Sequence, residues 1–292
     1  MDTTLAPSPR PVPVATSVPA AAPSAFHDIL AAPAPTPLHG IGGAVRNTLT
    51  FGWRALLKIK HTPEQLFDVV VTPVMFTVLF TYLFGGALAG STGDYLQFLL
   101  PGILVQTVTF ASFYTGFTLN TDLSKGIYDR FRSLPVWRLS PIVGAMLADM
   151  ARYTLSSLIV VGIGFVLGFR PPAGVAGVVA AILLLDVFAF GIGWIFTTVA
   201  LAVKTPGTVM TLSWLVLMPL TFASNIFVDP ATMPGWLQAF VSVNPVALLA
   251  TAARGLIDGT ATAGQIGAAL LAPAVVTAIC APLALYLYGR ER

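Results

Sequence analysis

Three ionisable side chains lie within long apolar stretches of the sequence, where a charge is expensive to keep. Asp186 falls near the middle of one such stretch. An unpaired charge there costs on the order of a few kcal/mol, so we expect this acid to be protonated or partnered. A proton-coupled transporter would use it as a relay; we favour a structural hydrogen bond. Asp149 and Arg152 stand three residues apart, and this spacing predicts a structural ion pair on one helical face.

Motifs for phosphate, metal or nucleophilic chemistry are missing from the sequence. A Walker A loop needs spaced glycines followed by Lys and Ser or Thr, and none of the four lysines has that context. Lys204 and Thr205, for example, lack the preceding glycines. The histidines, His27, His39 and His61, all precede the first apolar stretch. We therefore expect no catalysis, no metal and no cofactor in this chain, and any energy from ATP must come from another polypeptide.

A stripe of polar and aromatic residues on the second apolar stretch is a candidate substrate path. Gln106, Phe110, Phe113 and Phe117 share one side of a helix, and with Asp186 they are the residues that we assign to this path. The rings offer stacking faces to a planar amphipathic compound, and the glutamine offers a polar contact. Aromatic stripes also pack helices together, and the sequence leaves both interpretations open.

Six apolar stretches must position these residues. Of 292 residues, 56% are hydrophobic and only 9% are charged, and the mean hydropathy is +0.83. A soluble domain cannot cover its surface with so few polar groups, so lipid must surround the chain. The predicted fold class is an all-α polytopic membrane protein. Six transmembrane helices are predicted at about 69–88, 98–119, 153–169, 175–202, 208–227 and 266–288.

The basic residues indicate how these spans are oriented. An even number of spans puts both termini on one side of the membrane. Eleven Lys and Arg residues fall on the side that holds the termini, whereas only Arg170 and Arg254 fall on the other. Because cytoplasmic loops carry the excess of basic residues, we predict a multi-pass protein of the bacterial cytoplasmic membrane with both termini in the cytoplasm.

The N-terminal part of the chain divides into a tail and a helix, and the transmembrane domain follows at 63–292. Residues 1–40 hold nine of the 23 prolines, so we predict a disordered, Pro/Ala-rich cytoplasmic tail and not a signal peptide. Residues 41–62 predict an amphipathic helix. Its basic and polar arc consists of Arg46, Thr50, Arg54, Lys58 and His61. Its apolar arc, placed opposite, consists of Val45, Leu49, Trp53, Leu56 and Ile59. The pattern suits the anionic membrane surface, although a helix packed on protein also fits it.

The loop of residues 120–140 alternates charged with aromatic and aliphatic side chains. A short helix with aromatic anchors between charges is what a membrane protein needs to dock a cytoplasmic partner that transmits force. A solvated connector that dips into the membrane interface explains the pattern equally well. The residues that we assign to docking are Lys125, Tyr128, Asp129, Arg130, Phe131, Arg132 and Trp137.

The region 228–259 is too long for a turn and too often broken by proline and glycine for a span. We predict two short amphipathic helices, near 232–241 and 246–257, that lie at or dip into the outer leaflet. They form either a gate or a plain surface cap. The residues that we assign to this extracellular re-entrant gate are Pro230, Pro234, Trp236, Asn244, Pro245 and Arg254.

Three separated motifs resemble those of the ABC-2 type permeases. They are YLQFLLPGILVQT at residues 95–107, KGIYDRFRSLPV at 125–136 and FVDPATMPGWLQAFVSVNP at 227–245. From residue 54 to its C-terminus the chain is most similar to the DrrB-like branch, the membrane subunits of daunorubicin and doxorubicin exporters. The motifs occupy the expected topological positions, which makes the resemblance specific.

The resemblance implies partners and a function. Members combine two permease copies, here a homodimer, with two copies of a separate ATPase that binds ATP and Mg²⁺. It implies a coupling helix at 125–137, re-entrant helices at 230–257, and export of a small amphipathic compound such as an anthracycline-like antibiotic, with no nucleic-acid partner. Export of lipid or polysaccharide uses a similar frame. A proton-coupled antiporter would use Asp186, and a membrane enzyme would need a polar cluster that the sequence lacks.

Overall fold

The computed structural model of the protein describes residues 41–60, 63–128 and 140–289. The regular secondary structure within these ranges is entirely helical, which confirms the predicted all-α class. The predicted tail at 1–40 lies outside them. The helices are α1 (Ile41–Lys60), α2 (Pro63–Ala89), α3 (Thr92–Ser124), α4 (Ser140–Leu167), α5 (Gly174–Ala202), α6 (Pro206–Phe222), a 3₁₀ turn (Pro230–Thr232), α7 (Gly235–Val243), α8 (Pro245–Asp258) and α9 (Ala263–Gly289).

Five helices are long and apolar enough to cross a bilayer: α2, α3, α4, α5 and α9. Helices α2, α3, α5 and α9 contain the spans predicted from the sequence, and α5 matches its predicted limits to within one residue. Helix α4 starts 13 residues before the predicted span and ends two residues short of it, and α3 extends beyond the predicted limits at both ends. At 1.5 Å per residue the 33 residues of α3 measure about 50 Å, against about 30 Å for the hydrocarbon core. The extra turns therefore carry α3 out of the membrane toward the loop that was predicted to dock a partner.

The predicted fifth span, 208–227, is wrong at its C-terminal end. Helix α6 has 17 residues and ends at Phe222, and residues 223–228 are not helical. Two features end the helix. Pro219 lies inside its last turn and has no N–H to donate. The Ser224 hydroxyl then donates to the carbonyl of Thr221, the kind of local bond by which serine competes with a helix.

The two short helices predicted after this segment are confirmed as α7 and α8. They meet at a bend of 76°. Asn244 is the residue at the bend, and its side chain accepts the N–H of Val246 at 2.9 Å, which caps the start of α8. Pro245 is the first residue of α8, where the missing N–H costs nothing. Gly259, with φ of 77°, ends α8 in the left-handed conformation that glycine adopts most readily.

The helix ends form two layers. In one layer the ring of Tyr128, just after α3, lies edge-on to that of Tyr288 at the end of α9, with centroids 6.1 Å apart. In the other, the N–H of Ala173, before α5, donates to the carbonyl of Ile257 in α8 at 3.0 Å. The chain therefore runs up and down, and the end of α9 returns to the layer in which α3 ends.

Helix α1 packs on the first turns of α4 through small residues. Thr48 and Gly52 are buried there. A Cβ atom added to Gly144 would come within 2.7 Å of the carbonyl oxygen of Thr48, so only glycine allows this approach. Among the described residues of α1, the contact with α4 is thus made by Thr48 and Gly52, which belong to neither of the arcs predicted from the sequence.

Among the described side chains of α1, members of the two predicted arcs lie next to each other, because neighbouring residues are only about 100° apart on a helix. Val45, Leu49 and Trp53 are 52%, 61% and 65% exposed, and Arg46 beside them is exposed as well. Apolar and basic groups therefore share one outward surface, which is the composition of a helix that lies on a membrane.

Helix α3 is the centre of the bundle and carries a large share of the core. Its Leu99, Leu100 and Leu104 are fully buried. It contacts α2, α4, α5, α6 and α8. At Gly116 an added Cβ atom would lie 2.5 Å from the carbonyl oxygen of Phe196, so glycine lets α5 approach closely. Different sides of α3 consequently face different helices. The position of the candidate stripe of Gln106, Phe110, Phe113 and Phe117 therefore depends on which helices its side of α3 faces.

Candidate substrate groove and re-entrant gate

A groove of about 230 Å³ lies between α2, α3 and α6, and one residue of α4 completes it. Helix α3 forms the back wall because its stripe faces outward between the other two helices. The lining residues are Thr72, Pro73, Phe76, Gln106, Thr107, Phe110, Ala111, Phe113, Tyr114, Ser156, Met210, Trp214, Met218 and Phe222.

Aromatic rings dominate one side of the groove. The indole of Trp214 lies 5.2 Å from the ring of Phe110 and 6.2 Å from that of Phe113, between centroids, at angles of 60° and 52°. Phe113 stacks on Tyr114 at 4.3 Å. Trp214 is 39% exposed, so part of its face remains free. The arrangement offers several ring surfaces, at different angles, to a flat apolar compound.

The polar groups of the groove are few and uncharged. Gln106, Thr107 and Ser156 contribute amide or hydroxyl groups, and none of the described residues that line the groove carries a charge. An apolar site with a small number of polar contacts is the usual form of a site for a small organic molecule. A cation would be held here by ring faces and not by a carboxylate.

Three of the four residues predicted on the α3 stripe, Gln106, Phe110 and Phe113, line the groove together. Phe117, the fourth, lies further along α3 and is not among the lining residues. The sequence analysis missed Trp214 and the other lining residues of α2 and α6. Helical spacing relates residues on one helix only, so no signal in the sequence could have brought Trp214 to Phe110.

Asp186 lies away from the groove, on α5 against α4. Its Oδ2 accepts a hydrogen bond of 2.6 Å from the hydroxyl of Thr154. Its Oδ1 is buried and has no hydrogen-bond partner among the described residues. The acid is therefore partnered on one oxygen, but the structure does not bring it together with the stripe to which the sequence assigned it.

Asp149 and Arg152 form a buried ion pair behind the groove, as the spacing predicts. Arg152 Nη2 lies 2.9 Å from Asp149 Oδ1. Thr115 donates to Asp149 Oδ2 from α3, and the hydroxyl of Tyr153 lies 2.9 Å from that of Thr115. The guanidinium also lies 5.6 Å from the ring centroid of Tyr114, which lines the groove. The pair thus joins α4 to the back wall.

The non-helical segment 223–228 is buried, and side chains supply the hydrogen bonds that a helix would have made. Arg254 Nη2 donates to the carbonyls of Asn225 at 2.7 Å and Ile226 at 3.1 Å. Its Nε donates to the carbonyl of Phe98 at 3.0 Å, and the guanidinium lies 4.0 Å over the Phe98 ring. Irregular backbone within a membrane needs such protein partners because lipid offers none.

Two further residues hold the same segment. Asn244 Nδ2 donates to the carbonyls of Leu220 at 2.7 Å and Ala223 at 2.8 Å. The hydroxyl of Tyr95, at the start of α3, donates to the carbonyl of Phe227 at 3.0 Å. The last carbonyls of α6, which have no partner within the helix, are satisfied in this way. The sequence analysis did not anticipate the role of Tyr95.

The structure records no hydrogen bond between segment 223–228 and the other four residues of the predicted gate. Pro230 begins the 3₁₀ turn and Pro234 precedes α7. Pro245 begins α8, and Trp236 is 74% exposed on α7. Of the six predicted residues the structure therefore brings Asn244 and Arg254 together on segment 223–228.

The family model of the ABC-2 type transporter matches residues 46–257, a range that includes the groove, α7 and α8 up to Ile257. The chain belongs to this family. It is the membrane subunit, or permease, of an ABC exporter, and such a permease works with an ATPase subunit.

Similar proteins come from three kinds of organism. The daunorubicin resistance ABC transporter permease protein DrrB1 of Streptomyces coeruleorubidus is 49% identical over 248 residues, which are 85% of this chain and 88% of that one. The probable doxorubicin resistance ABC transporter permease protein DrrC of Mycobacterium tuberculosis is 28% identical, over 86% and 93% of the two chains. The putative transport permease ycf38 of Cyanophora paradoxa is 25% identical, over 66% and 68%.

The predicted docking surface of this ABC-2 permease is only partly described. Lys125 follows the last residue of α3 and is exposed, and its N–H donates to the carbonyl of Thr121. Tyr128 is 5% exposed, and its ring packs on that of Tyr288 within this chain. Lys125 is exposed at the C-terminal end of α3. The other predicted docking residues, Asp129, Arg130, Phe131, Arg132 and Trp137, lie outside the described residues.

Proposed function

We propose that this ABC-2 permease exports planar amphipathic compounds of the anthracycline type, and that the groove beside α3 and α6 is their binding site. The observation that carries the proposal is the lining of the groove, in which Trp214 lies close to the rings of Phe110 and Phe113 beside a few uncharged polar groups. Anthracyclines are flat, mostly apolar ring systems with polar edges, which matches that lining. The relatives named for daunorubicin and doxorubicin resistance support the same substrate class.

The size of the groove supports a homodimer. At about 230 Å³ it is smaller than the roughly 300–1,000 Å³ of sites that hold drug-sized molecules. Trp214, Met218 and Phe222 are each more than a third exposed on the open side. A second copy facing this side would bring two such grooves together and bury these rings. We therefore propose two permease copies, which enclose one substrate between them.

The energy for export comes, in this proposal, from two copies of a separate subunit that binds ATP with Mg²⁺. Residues 125–137 of the permease dock on that subunit. The chain itself carries out no catalysis, because it has no loop that could bind phosphate. The proposed location is the bacterial cytoplasmic membrane, with both termini and α1 on the cytoplasmic side, where the basic residues of α1 meet anionic lipid.

Substitutions in the groove should weaken transport of daunorubicin. We expect Trp214→Ala and Phe110→Ala each to raise the half-saturating daunorubicin concentration about tenfold, since a lost aromatic contact of about 1.4 kcal/mol corresponds to that factor. The measurement is ATP-dependent uptake of daunorubicin into inside-out membrane vesicles that contain the permease and its ATPase.

Phe165→Ala is the matched control for this experiment. Phe165 is 38% exposed, much like Trp214, but it lies near the end of α4 and does not line the groove. Its loss should leave the half-saturating concentration unchanged. Equal effects of all three substitutions would contradict the assignment of the groove. Uptake driven by a pH gradient without ATP would indicate an antiporter, and transport of lipid or polysaccharide in place of daunorubicin would contradict the substrate class.

The orientation can be tested by labelling single cysteines in a Cys280→Ala background. Ser124→Cys lies at the end of α3, and Thr260→Cys follows α8 in the opposite layer; both positions are exposed. An impermeant maleimide should label Thr260→Cys in intact cells and Ser124→Cys only in inside-out vesicles, because the basic loops face the cytoplasm. Labelling of both positions from the same side would contradict the six-span arrangement.

A further inference from the structure

The guanidinium of Arg254 is the point at which three parts of the permease meet. It belongs to α8, it donates to the carbonyls of Asn225 and Ile226 in segment 223–228, and it donates to the carbonyl of Phe98 in α3. Gly102, one turn after Phe98, completes the contact. A Cβ atom there would come within 2.7 Å of the Ile226 carbonyl oxygen, so the segment rests directly on the backbone of α3.

The partners of Arg254 suit a contact that opens and closes. All of its recorded hydrogen bonds go to backbone carbonyls. The exposed carboxylates of Asp229 and Asp258 act on its charge, but neither accepts a recorded hydrogen bond from it. Hydrogen bonds from a charged donor are stronger than neutral ones while water is excluded. When water reaches them, guanidinium and carbonyl groups both hydrate well, so the net cost of separating them is modest. If the partner of Arg254 were a buried carboxylate, separating the two would leave that carboxylate as an uncompensated charge.

The segment held by Arg254 is joined to the substrate groove. Phe222, the last residue of α6, lines the groove, and the non-helical residues begin immediately after it. Met218 lines the groove one turn earlier. Movement of segment 223–228 away from α3 would therefore move the end of α6, and with it the wall of the groove that lies nearest to the layer of α7 and α8.

We propose that Arg254 is a positioning residue for export: its bonds to the carbonyls of Asn225, Ile226 and Phe98, which we call the Arg254 latch, hold the outer end of the groove closed, and they open to release the substrate. The inference rests on the proposed export route through the groove. It adds the element that controls the exit, and it assigns this role to one side chain.

Exposure of the segment tests the latch without any substrate. Ser224 is 1% exposed, and Ser224→Cys in the Cys280→Ala background changes only oxygen to sulfur. With the ATPase bound and no ATP, this thiol should be protected from an impermeant maleimide. Adding Arg254→Ala should raise its labelling rate at least about tenfold, because three hydrogen bonds are lost. Arg254→Lys keeps the charge but cannot reach three carbonyls, and it should give an intermediate rate.

Arg170→Ala is the matched control. Arg170 lies in the same layer and also donates to backbone carbonyls, those of Phe165 at 3.1 Å and Phe169 at 2.7 Å, but it does not contact segment 223–228. Its loss should leave the labelling of Ser224→Cys unchanged. Co-purification with the ATPase shows that each variant is folded. Protection that persists in a folded Arg254→Ala variant, or equal exposure in Arg170→Ala, would overturn the proposal.

Transport kinetics separate the latch from a merely structural role. In vesicles with the ATPase, Arg254→Ala should leave ATP hydrolysis and the half-saturating daunorubicin concentration within about twofold of the unaltered protein, while net daunorubicin uptake falls about tenfold because released substrate returns. A parallel fall in ATP hydrolysis and uptake would overturn the proposal. If the unaltered protein transports no daunorubicin, the proposed function fails, and the labelling of Ser224→Cys still decides whether the latch exists.

Discussion

Asp149→Ala is expected to lower the free energy of unfolding by about 3–5 kcal/mol, because it leaves the buried guanidinium of Arg152 without its counter-ion. Arg152 is 4% exposed and would retain only weaker contacts, such as its hydrogen bond of 3.3 Å to the carbonyl of Ala111 and the ring of Tyr114. Water cannot replace the carboxylate at this depth. Reversible unfolding in mixed detergent micelles, followed by circular dichroism, measures the loss.

Two further variants separate the ion pair from a general effect of losing a carboxylate. Asp94→Ala removes an exposed carboxylate at the start of α3 that accepts a hydrogen bond from Ser91, and it should cost no more than about 1 kcal/mol. The double substitution Asp149→Ala with Arg152→Leu removes both charges and should recover most of the stability. An unfolding free energy for Asp149→Ala equal to that of Asp94→Ala would contradict this account of the pair.

Phe131→Ala and Trp137→Ala are each expected to abolish transport by weakening the attachment of the ATPase by about 2 kcal/mol or more, the effect of losing an aromatic anchor. The prediction rests on the sequence of the loop, in which aromatic residues alternate with charges. The arginines of the loop set orientation and partner choice.

Co-purification measures this attachment. Each variant is captured from detergent extract, and the ATPase retained is compared with that retained by the unaltered permease. The variants should still insert and fold, because residues 131 and 137 lie outside the apolar spans. Trp236→Ala, on the opposite layer, is the control and should retain the ATPase fully. If Phe131→Ala and Trp137→Ala retain the ATPase normally while Trp236→Ala loses it, the coupling surface lies on the other side of the membrane from the one that we assign to it.

Patterns along a single helix were readable from the sequence. Composition and the length of apolar stretches predicted the all-α membrane fold, because lipid leaves few other ways to satisfy the backbone. The spacing of Asp149 and Arg152 predicted their contact, and that of Gln106, Phe110 and Phe113 predicted a shared surface. In each case the helix itself fixes the relative position, so no knowledge of neighbouring helices was needed.

Relations between helices were not readable. The groove depends on Trp214 meeting Phe110 from another helix, and the hydrogen bonds of Arg254 join residues more than 25 positions apart. The end of α6 at Phe222 was missed because residues 223–227 are apolar enough to continue a span. The side of α1 that packs on α4 was missed because hydrophobicity points to large residues, whereas this contact is made by Thr48 and Gly52.

The early end of α6 has a consequence for the lipid around the permease. Seventeen residues rise about 26 Å, several ångströms less than the roughly 30 Å of hydrocarbon in an average bilayer. Beyond Phe222 the chain continues as the mostly buried segment 223–228, and α7, which follows it, carries the exposed side chains of Trp236 and Phe240. Acyl chains beside α6 must therefore shorten or tilt. The local bilayer thickness beside α6 is therefore subject to hydrophobic mismatch with the protein, and lipids with longer chains fit this helix less well.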